Sequence, residues 1–268
     1  MLRPQLLMLM LFGDYLLDRD LCVNSASIIE VLGRLGVSEH ATRSTLTRMV
    51  NRDLLRRQRV GRTMYFGLTV RAVDLLHDGQ RRIWETGAVN DTWDGTWTLL
   101  CFSLPESWQR QRHGLRSQLA WAGFGPLQGG LWIAPSHVRV ERIVDGLGLA
   151  AHVRVFRATA DELTDVRQMI GDAYDLAGVA ARYEEFLRRW EPAARAGAPE
   201  SDPIAARLTI VAEWMLAIRR DPRLPVRHLP DDWPAVPAQA VFRRLESALE
   251  ERARALAEPL LDTRPVDG

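Results

Sequence analysis

The 268-residue chain contains no lysine, so all 35 of its Lys/Arg positions are arginine. That absence excludes a Walker-type phosphate lysine, a Schiff-base lysine and a lysine general base. Cysteine is almost as scarce. Cys22 and Cys101 stand alone, with neither metal-type spacing nor a disulfide framework, and read as reduced thiols of a cytoplasmic protein. No long apolar run is present. Residues 6–12 are apolar but short, are broken by Gly13-Asp14 and lack a small-residue cleavage site, so neither a signal peptide nor a membrane span is expected. The sequence also lacks a glycine-rich phosphate loop, a Gly-x-Ser-x-Gly elbow and any His, Cys or carboxylate cluster with metal spacing. Ser38 with His40 and Ser136 with His137 read as capping or surface pairs, and Asp231-Asp232 as a turn. No cofactor and no metal are therefore expected, and the chain is not read as an enzyme.

What is present is ordinary in bulk and uneven in detail. The chain is 47% hydrophobic and 26% charged, with a net charge of only +1. Basicity is thus local, which argues for one confined binding face over a non-specific nucleic-acid coat. It concentrates between residues 43 and 62, where seven arginines accompany a single acid, Asp53. The stretch around this cluster, residues 25–69, organises the reading of the whole chain. Ile28, Ile29, Leu32 and Leu35 mark one face of a short helix. Gly36-Val37-Ser38 is a turn: Gly36 suits a left-handed C-cap and Ser38 an N-cap, with Glu39 placed where the next helix's dipole favours an anion. In that next helix Thr42, Thr45, Leu46, Met49 and Val50 share an inner face, and His40, Arg43, Ser44, Thr47 and Arg48 an outer one. Residues 54–60 and 63–68 then read as a hairpin turning at Val60-Gly61-Arg62. Helix, turn, helix and basic hairpin make a winged helix-turn-helix. His40, Arg43, Ser44, Thr47 and Arg48, with Arg52, Arg57, Arg59 and Arg62, are the candidate DNA-binding residues: guanidinium, hydroxyl and imidazole groups for base edges and phosphates.

The remaining chain divides further. Residues 4–17 read as a first helix, residues 18–24 as a polar loop and residues 85–94 as a linker. From Trp93 the pattern runs strand, helix, strand, strand, helix, strand, ending near Arg157, which is the ferredoxin-like β-α-β-β-α-β plan. From Asp161 the reading is helical: residues 163–171, 175–190, 204–219 and 238–261, with proline-bearing loops at 191–203 and 221–237 and a frayed tail after Asp262. The expected class is α+β, with a winged helix-turn-helix over 1–88, a ferredoxin-like domain over 89–160 and a helical C-terminal domain over 161–268 for dimerisation or effector binding.

Several motifs carry a resemblance. They are Arg3-Pro4 with Leu11-Phe12-Gly13-Asp14-Tyr15; Arg43, Arg48 and the run from Gly61 to Thr69; Trp93-Asp94-Gly95-Thr96-Trp97 with the run from Leu115 to Gly125; and Asp221-Pro222-Arg223-Leu224-Pro225 with the run from Leu229 to Pro234. In this order they resemble the PaaX family, the bacterial repressors of phenylacetic-acid degradation and their relatives, over essentially the whole length. One departure is Asp53-Leu54, where the family tends to have Gly-Trp. The resemblance implies a homodimeric, cytoplasmic repressor of a catabolic operon that binds a double-stranded DNA operator and is released by an acyl-coenzyme A such as phenylacetyl-coenzyme A. The candidate effector-binding residues are Arg116, Trp121, Trp132, Arg223, Arg227 and Trp233. The aromatics among them also read as core, and the arginines as salt-bridge partners. The middle domain of the family further resembles small CRISPR-associated endonucleases, which carry an aspartate in their first strand. Residues 97–104 hold no acid, so the fold carries over and the nuclease activity does not. A metal-dependent nuclease and an effector-independent DNA-binding protein are the alternatives.

Overall fold

The structure is a computed structural model and describes residues 2–128, 130–197 and 202–266. It is a mixed α+β chain with two antiparallel four-stranded sheets and ten α-helices among the described residues. The chain forms two compact units. One comprises Met1–Thr86, Phe186–Leu216 and Pro237–Gly268; the other comprises Gly87–Glu185 and Ala217–Val236.

The first unit begins with α1 (Pro4–Tyr15), whose proline sits in the first turn, where a missing N–H costs nothing. Strand β1 (Leu21–Asn24) follows, then α2 (Ser25–Arg34), α3 (Glu39–Asn51), the hairpin β2 (Leu55–Val60) and β3 (Thr63–Leu68), and α4 (Val70–Gln80). Caps fix the helix starts. The Asn24 side chain accepts from the Ala26 N–H at 2.9 Å, Ser38 Oγ from Ala41 at 3.3 Å and Thr69 Oγ1 from Ala72 at 3.2 Å. Gly36, at φ 76°, follows the C-cap of α2 in the left-handed conformation its sequence position predicts.

Two sequence expectations fail here. Residues 18–24 were expected as a loop and the tail after Asp262 as frayed. Instead β1 pairs with β3 on one side and with β8 (Thr263–Pro265) on the other, giving the order β2-β3-β1-β8. Cys22, expected beside a loop, is buried in β1. Strands of four and three residues are too short to show alternation, and their pairing spans more than 230 residues of chain, so no local signal could mark them.

The rest of the first unit is supplied by the second half of α8 (Leu176–Ala196), by nearly all of α9 (Pro203–Ile218) and by α10 (Ala235–Leu260). Trp214 anchors them, stacked on Phe242 at 4.8 Å and meeting Phe186 edge-on at 5.2 Å. Arg207 of α9 is buried between two carboxylates, pairing with Asp14 of α1 and, at 2.9 Å, with Glu246 of α10. Residues 161–268, expected as one helical domain, therefore contribute to both units. Within α8, Tyr183 donates to Asp221 in the second unit, while Phe186 packs on Trp214 in the first. Helix α8 also runs through Pro192, past the expected loop start at Glu191, and the half-buried Glu213 accepts the indole N–H of Trp190 at 2.7 Å near this end.

The second unit carries the expected ferredoxin-like plan: β4 (Thr96–Phe102), α5 (Gln109–Trp121), β5 (Gly125–Pro126), β6 (Leu131–Ala134), α6 (Glu141–Leu147) and β7 (Val153–Thr159). The sheet order is β5-β6-β4-β7, antiparallel throughout. Its core gathers Leu100, Leu115, Leu119, Phe124, Trp132, Val144 and Val153. Helix α7 (Val166–Ala173), capped by Asp165, leads to the first half of α8.

Candidate functional site

Helix α3 is amphipathic in the way its sequence requires. Thr42, Thr45, Leu46 and Met49 are buried. The two threonines satisfy their hydroxyls on backbone carbonyls one turn back, Thr42 on Ser38 at 3.1 Å and Thr45 on Ala41 at 2.8 Å. On the opposite face His40, Arg43, Thr47 and Arg48 are exposed and Ser44 is half-buried. Arg43 pairs with Glu39 at 2.8 Å, one turn toward the helix start. Arg48 donates to Ser44 Oγ at 2.6 Å and to Thr45 Oγ1 at 2.8 Å. Both guanidiniums are thus aligned along the helix surface, Arg43 by the exposed Glu39, a weak pair that a phosphate or a guanine edge could displace at small cost, and Arg48 by the half-buried Ser44 and the buried Thr45.

The hairpin continues the basic surface. Arg57, Arg59 and Arg62 are exposed, Arg57 and Arg59 on the same face of β2 because they lie two residues apart. Gly61, at φ 62°, makes the tip, and Arg59 donates to its carbonyl at 3.1 Å. Arg52 caps the C-terminal end of α3 and reaches Gln5 at 3.3 Å. All nine sequence-predicted DNA-binding residues therefore lie on α3, its C-cap and the hairpin.

Asp53 takes φ 55°, in the left-handed region, and its carbonyl accepts from Thr69 Oγ1 at 2.8 Å. This explains the departure from the family pattern noted above: the backbone at the start of the hairpin asks for a residue that tolerates positive φ, and aspartate does so better than most. Asp53→Val should cost about 1–2 kcal/mol and Asp53→Gly little or nothing, a contrast that thermal melting of the two variants reads directly.

The six candidate effector residues are not gathered at one place. Trp132 belongs to the ferredoxin-like core and Trp233 is buried. Arg227 lies 4.6 Å over the Trp93 ring, and Arg116 is exposed on α5. Arg223, at φ 55°, is held by its backbone: its N–H donates to Asp221 at 2.7 Å and its carbonyl accepts from Asn90 at 2.9 Å. Trp121 is different. It lines a cleft of about 570 Å³ formed by α5, β5, the start of α8, Arg220 and Pro222. The sequence reading missed the other polar residues of this cleft, Ser117, Gln118, Tyr174, Asp175, Arg182 and Arg220. Only the Arg219-Arg220 pair beside the Asp221-Pro222 motif offered a signal; Arg182 looks like any outward arginine of a helix.

Among the described residues, no three His, Cys, Asp or Glu side chains come together as a metal site would, and no helix is long and apolar enough to cross a membrane. Comparison with known sequences covers most of the chain. Residues 3–72 match the family described as PaaX-like protein, residues 90–170 the PaaX protein central Cas2-like domain, and residues 174–259 the PaaX-like protein C-terminal domain. The chain belongs to the PaaX family. Over 235 residues it is 28% identical to the transcriptional repressor PaaX of Escherichia coli (strain K12), covering 83% of this chain and 73% of that protein. Its fold is similar to that of the uncharacterized protein Rv0674 from Mycobacterium tuberculosis, with a TM-score of 0.63 and 22% identity over 94% of this chain and 97% of the other. The basic face of α3 and the hairpin falls within the match over residues 3–72, and the cleft draws on the other two.

Proposed function

We propose that this PaaX-family protein is a DNA-binding transcriptional repressor, not an enzyme, whose N-terminal residues 1–88 act as a winged helix-turn-helix. The carrying observation is the continuous arginine-rich surface of α3 and the β2–β3 hairpin within a chain related to a transcriptional repressor. In this reading α3 enters the major groove, with Arg43, Ser44, Thr47 and Arg48 near base edges and His40 beside them. Arg52, Arg57, Arg59 and Arg62 hold phosphates from the end of the helix and the wing. Two copies in a cytoplasmic homodimer read an imperfect palindrome in double-stranded DNA. An acyl-coenzyme A, phenylacetyl-coenzyme A or a relative, releases the operator by binding the DNA-free arrangement more tightly than the DNA-bound one, since only a differential affinity can shift such an equilibrium. No cofactor is required.

The test is a gel shift on DNA upstream of the protein's own gene and its neighbours, with and without phenylacetyl-coenzyme A and other thioesters. A specific shift abolished by one thioester supports the reading. A specific shift that no thioester touches leaves a DNA-binding protein without this class of effector, and no specific shift overturns it. Arg43→Ala and Arg48→Ala should each weaken the specific complex by about 1–3 kcal/mol if they pair with guanines, and each should relax sequence preference at one position. Unchanged affinity together with an unchanged footprint would remove those two residues from base readout.

A further inference from the structure

Trp121 is 47% exposed, whereas Trp97, Trp132, Trp214 and Trp233 are buried. Its ring lies in the wall of the 570 Å³ cleft, with the Arg219 guanidinium 5.1 Å from its centroid. Two further arginines, Arg182 and Arg220, line the same cleft. None of the three has an ion pair among the described residues, and the buried Nε of Arg182 has no hydrogen-bond partner there. The one carboxylate in the lining, Asp175, already accepts the Gly178 N–H at 2.9 Å at the start of α8. Neighbouring Asp221 accepts from the Tyr183 hydroxyl and the Arg223 N–H; burial raises its pKa, while those hydrogen bonds and the Arg182 and Arg223 charges pull it back. The cleft lining thus carries two arginines against one carboxylate, and an anion placed there would meet a net positive wall.

One wall is tightly packed. A Cβ on Gly125 would lie 2.5 Å from the Ala173 carbonyl oxygen and 2.8 Å from the Tyr174 ring, so backbone and ring are in direct contact there. The Tyr174 hydroxyl in turn donates to the Ile133 carbonyl at 2.6 Å. A half-exposed indole beside Arg182 and Arg220 matches a ligand with a flat ring and phosphate groups: guanidinium forks fit phosphate oxygens, and aromatic faces stack on any base. An acyl chain, by contrast, asks for an enclosed apolar pocket, and this cleft is open and edged with charge.

We infer that this cleft holds the nucleotide half of a coenzyme A thioester, its adenine on Trp121 and its phosphates on Arg182 and Arg220, with Arg219 at the edge. The inference rests on the effector reading given above and assigns it a place and an orientation. The test is isothermal titration of the full-length protein with phenylacetyl-coenzyme A and, separately, with adenosine 3′,5′-bisphosphate. The variants are Trp121→Ala and Arg220→Ala, with Arg139→Ala as an exposed control away from the cleft. All three sites are exposed, so thermal melting should match the unmodified protein.

The expected result is that the bisphosphate competes with the thioester, that Trp121→Ala and Arg220→Ala each weaken both ligands about tenfold or more, and that Arg139→Ala changes neither. Equal thioester affinity in all variants overturns the cleft assignment while the effector reading stands. Bisphosphate binding that depends on Trp121 and Arg220, with no thioester binding, overturns the effector reading and leaves the cleft as a nucleotide site. Binding of neither ligand overturns both.

Discussion

Arg207→Met is expected to destabilise the protein by about 3–5 kcal/mol in urea unfolding, the largest single-residue effect argued from this structure. Arg207 has a side-chain exposure of 10% and pairs with Asp14 and Glu246, exposed to only 12% and 13%. Removing the guanidinium leaves two carboxylates facing each other out of water. The energetics are already finely balanced in the native protein: burial pushes the Asp14 carboxyl up to about 6, Arg207 pulls it back and Glu246 adds to the rise. A carboxyl whose folded pKa lies above its unfolded value favours folding when protonated, so its stabilising contribution is lost as pH rises through 6. The deficit of Arg207→Met should accordingly be larger at pH 8 than at pH 5, because acid neutralises what arginine no longer compensates. A triple variant replacing Asp14, Arg207 and Glu246 with apolar residues of similar size should recover much of the loss. If it does not, the three side chains hold α1, α9 and α10 in register by more than charge balance.

Deleting residues 262–268 is expected to cost about 2–4 kcal/mol and to expose the backbone of β1, read by faster amide exchange in Leu21–Asn24. The deleted strand β8 is the outer partner of β1, with Leu21 opposite Pro265, Cys22 opposite Arg264 and Val23 opposite Thr263. Asp262 concentrates much of the loss. Its carboxylate accepts from the Asn24 side chain at 2.8 Å and from the Tyr65 hydroxyl at 2.9 Å, and its N–H donates to Ser27 Oγ at 3.1 Å. Arg264 adds a hydrogen bond to the same Tyr65 hydroxyl at 3.1 Å. Asn24 is also the cap of α2, so the tail bears on the start of that helix as well as on the sheet. The hydrogen bonds from Asn24 and Tyr65 hold the Asp262 carboxyl below its usual range, so its contribution is present at neutral pH and fades as acid protonates it. Asp262→Asn should show a smaller loss than the deletion and no such fading.

Much of this protein was legible in its sequence. Periodicity placed α2, α3 and the hairpin because each buries a face in its own neighbourhood, and caps such as Ser38 and turns such as Gly36 act within a few residues. The ferredoxin-like order was readable for the same reason, as alternating elements joined by short connections. The order of residues concentrated basicity in one stretch, and the arginines of that stretch do lie on one helix, its cap and one hairpin. Tertiary structure decided the rest. The pairing of β1 with β8, the burial of Arg207 between two acids and the gathering of Trp121, Arg182 and Arg220 around one cleft all join residues more than 30 positions apart. A short strand has no period, a buried arginine looks like an exposed one until its partners are known, and a cleft exists only as the space that folded segments leave between them. The sequence determined the local elements and the chemistry available to them; only the three-dimensional packing decided which of those chemistries meet.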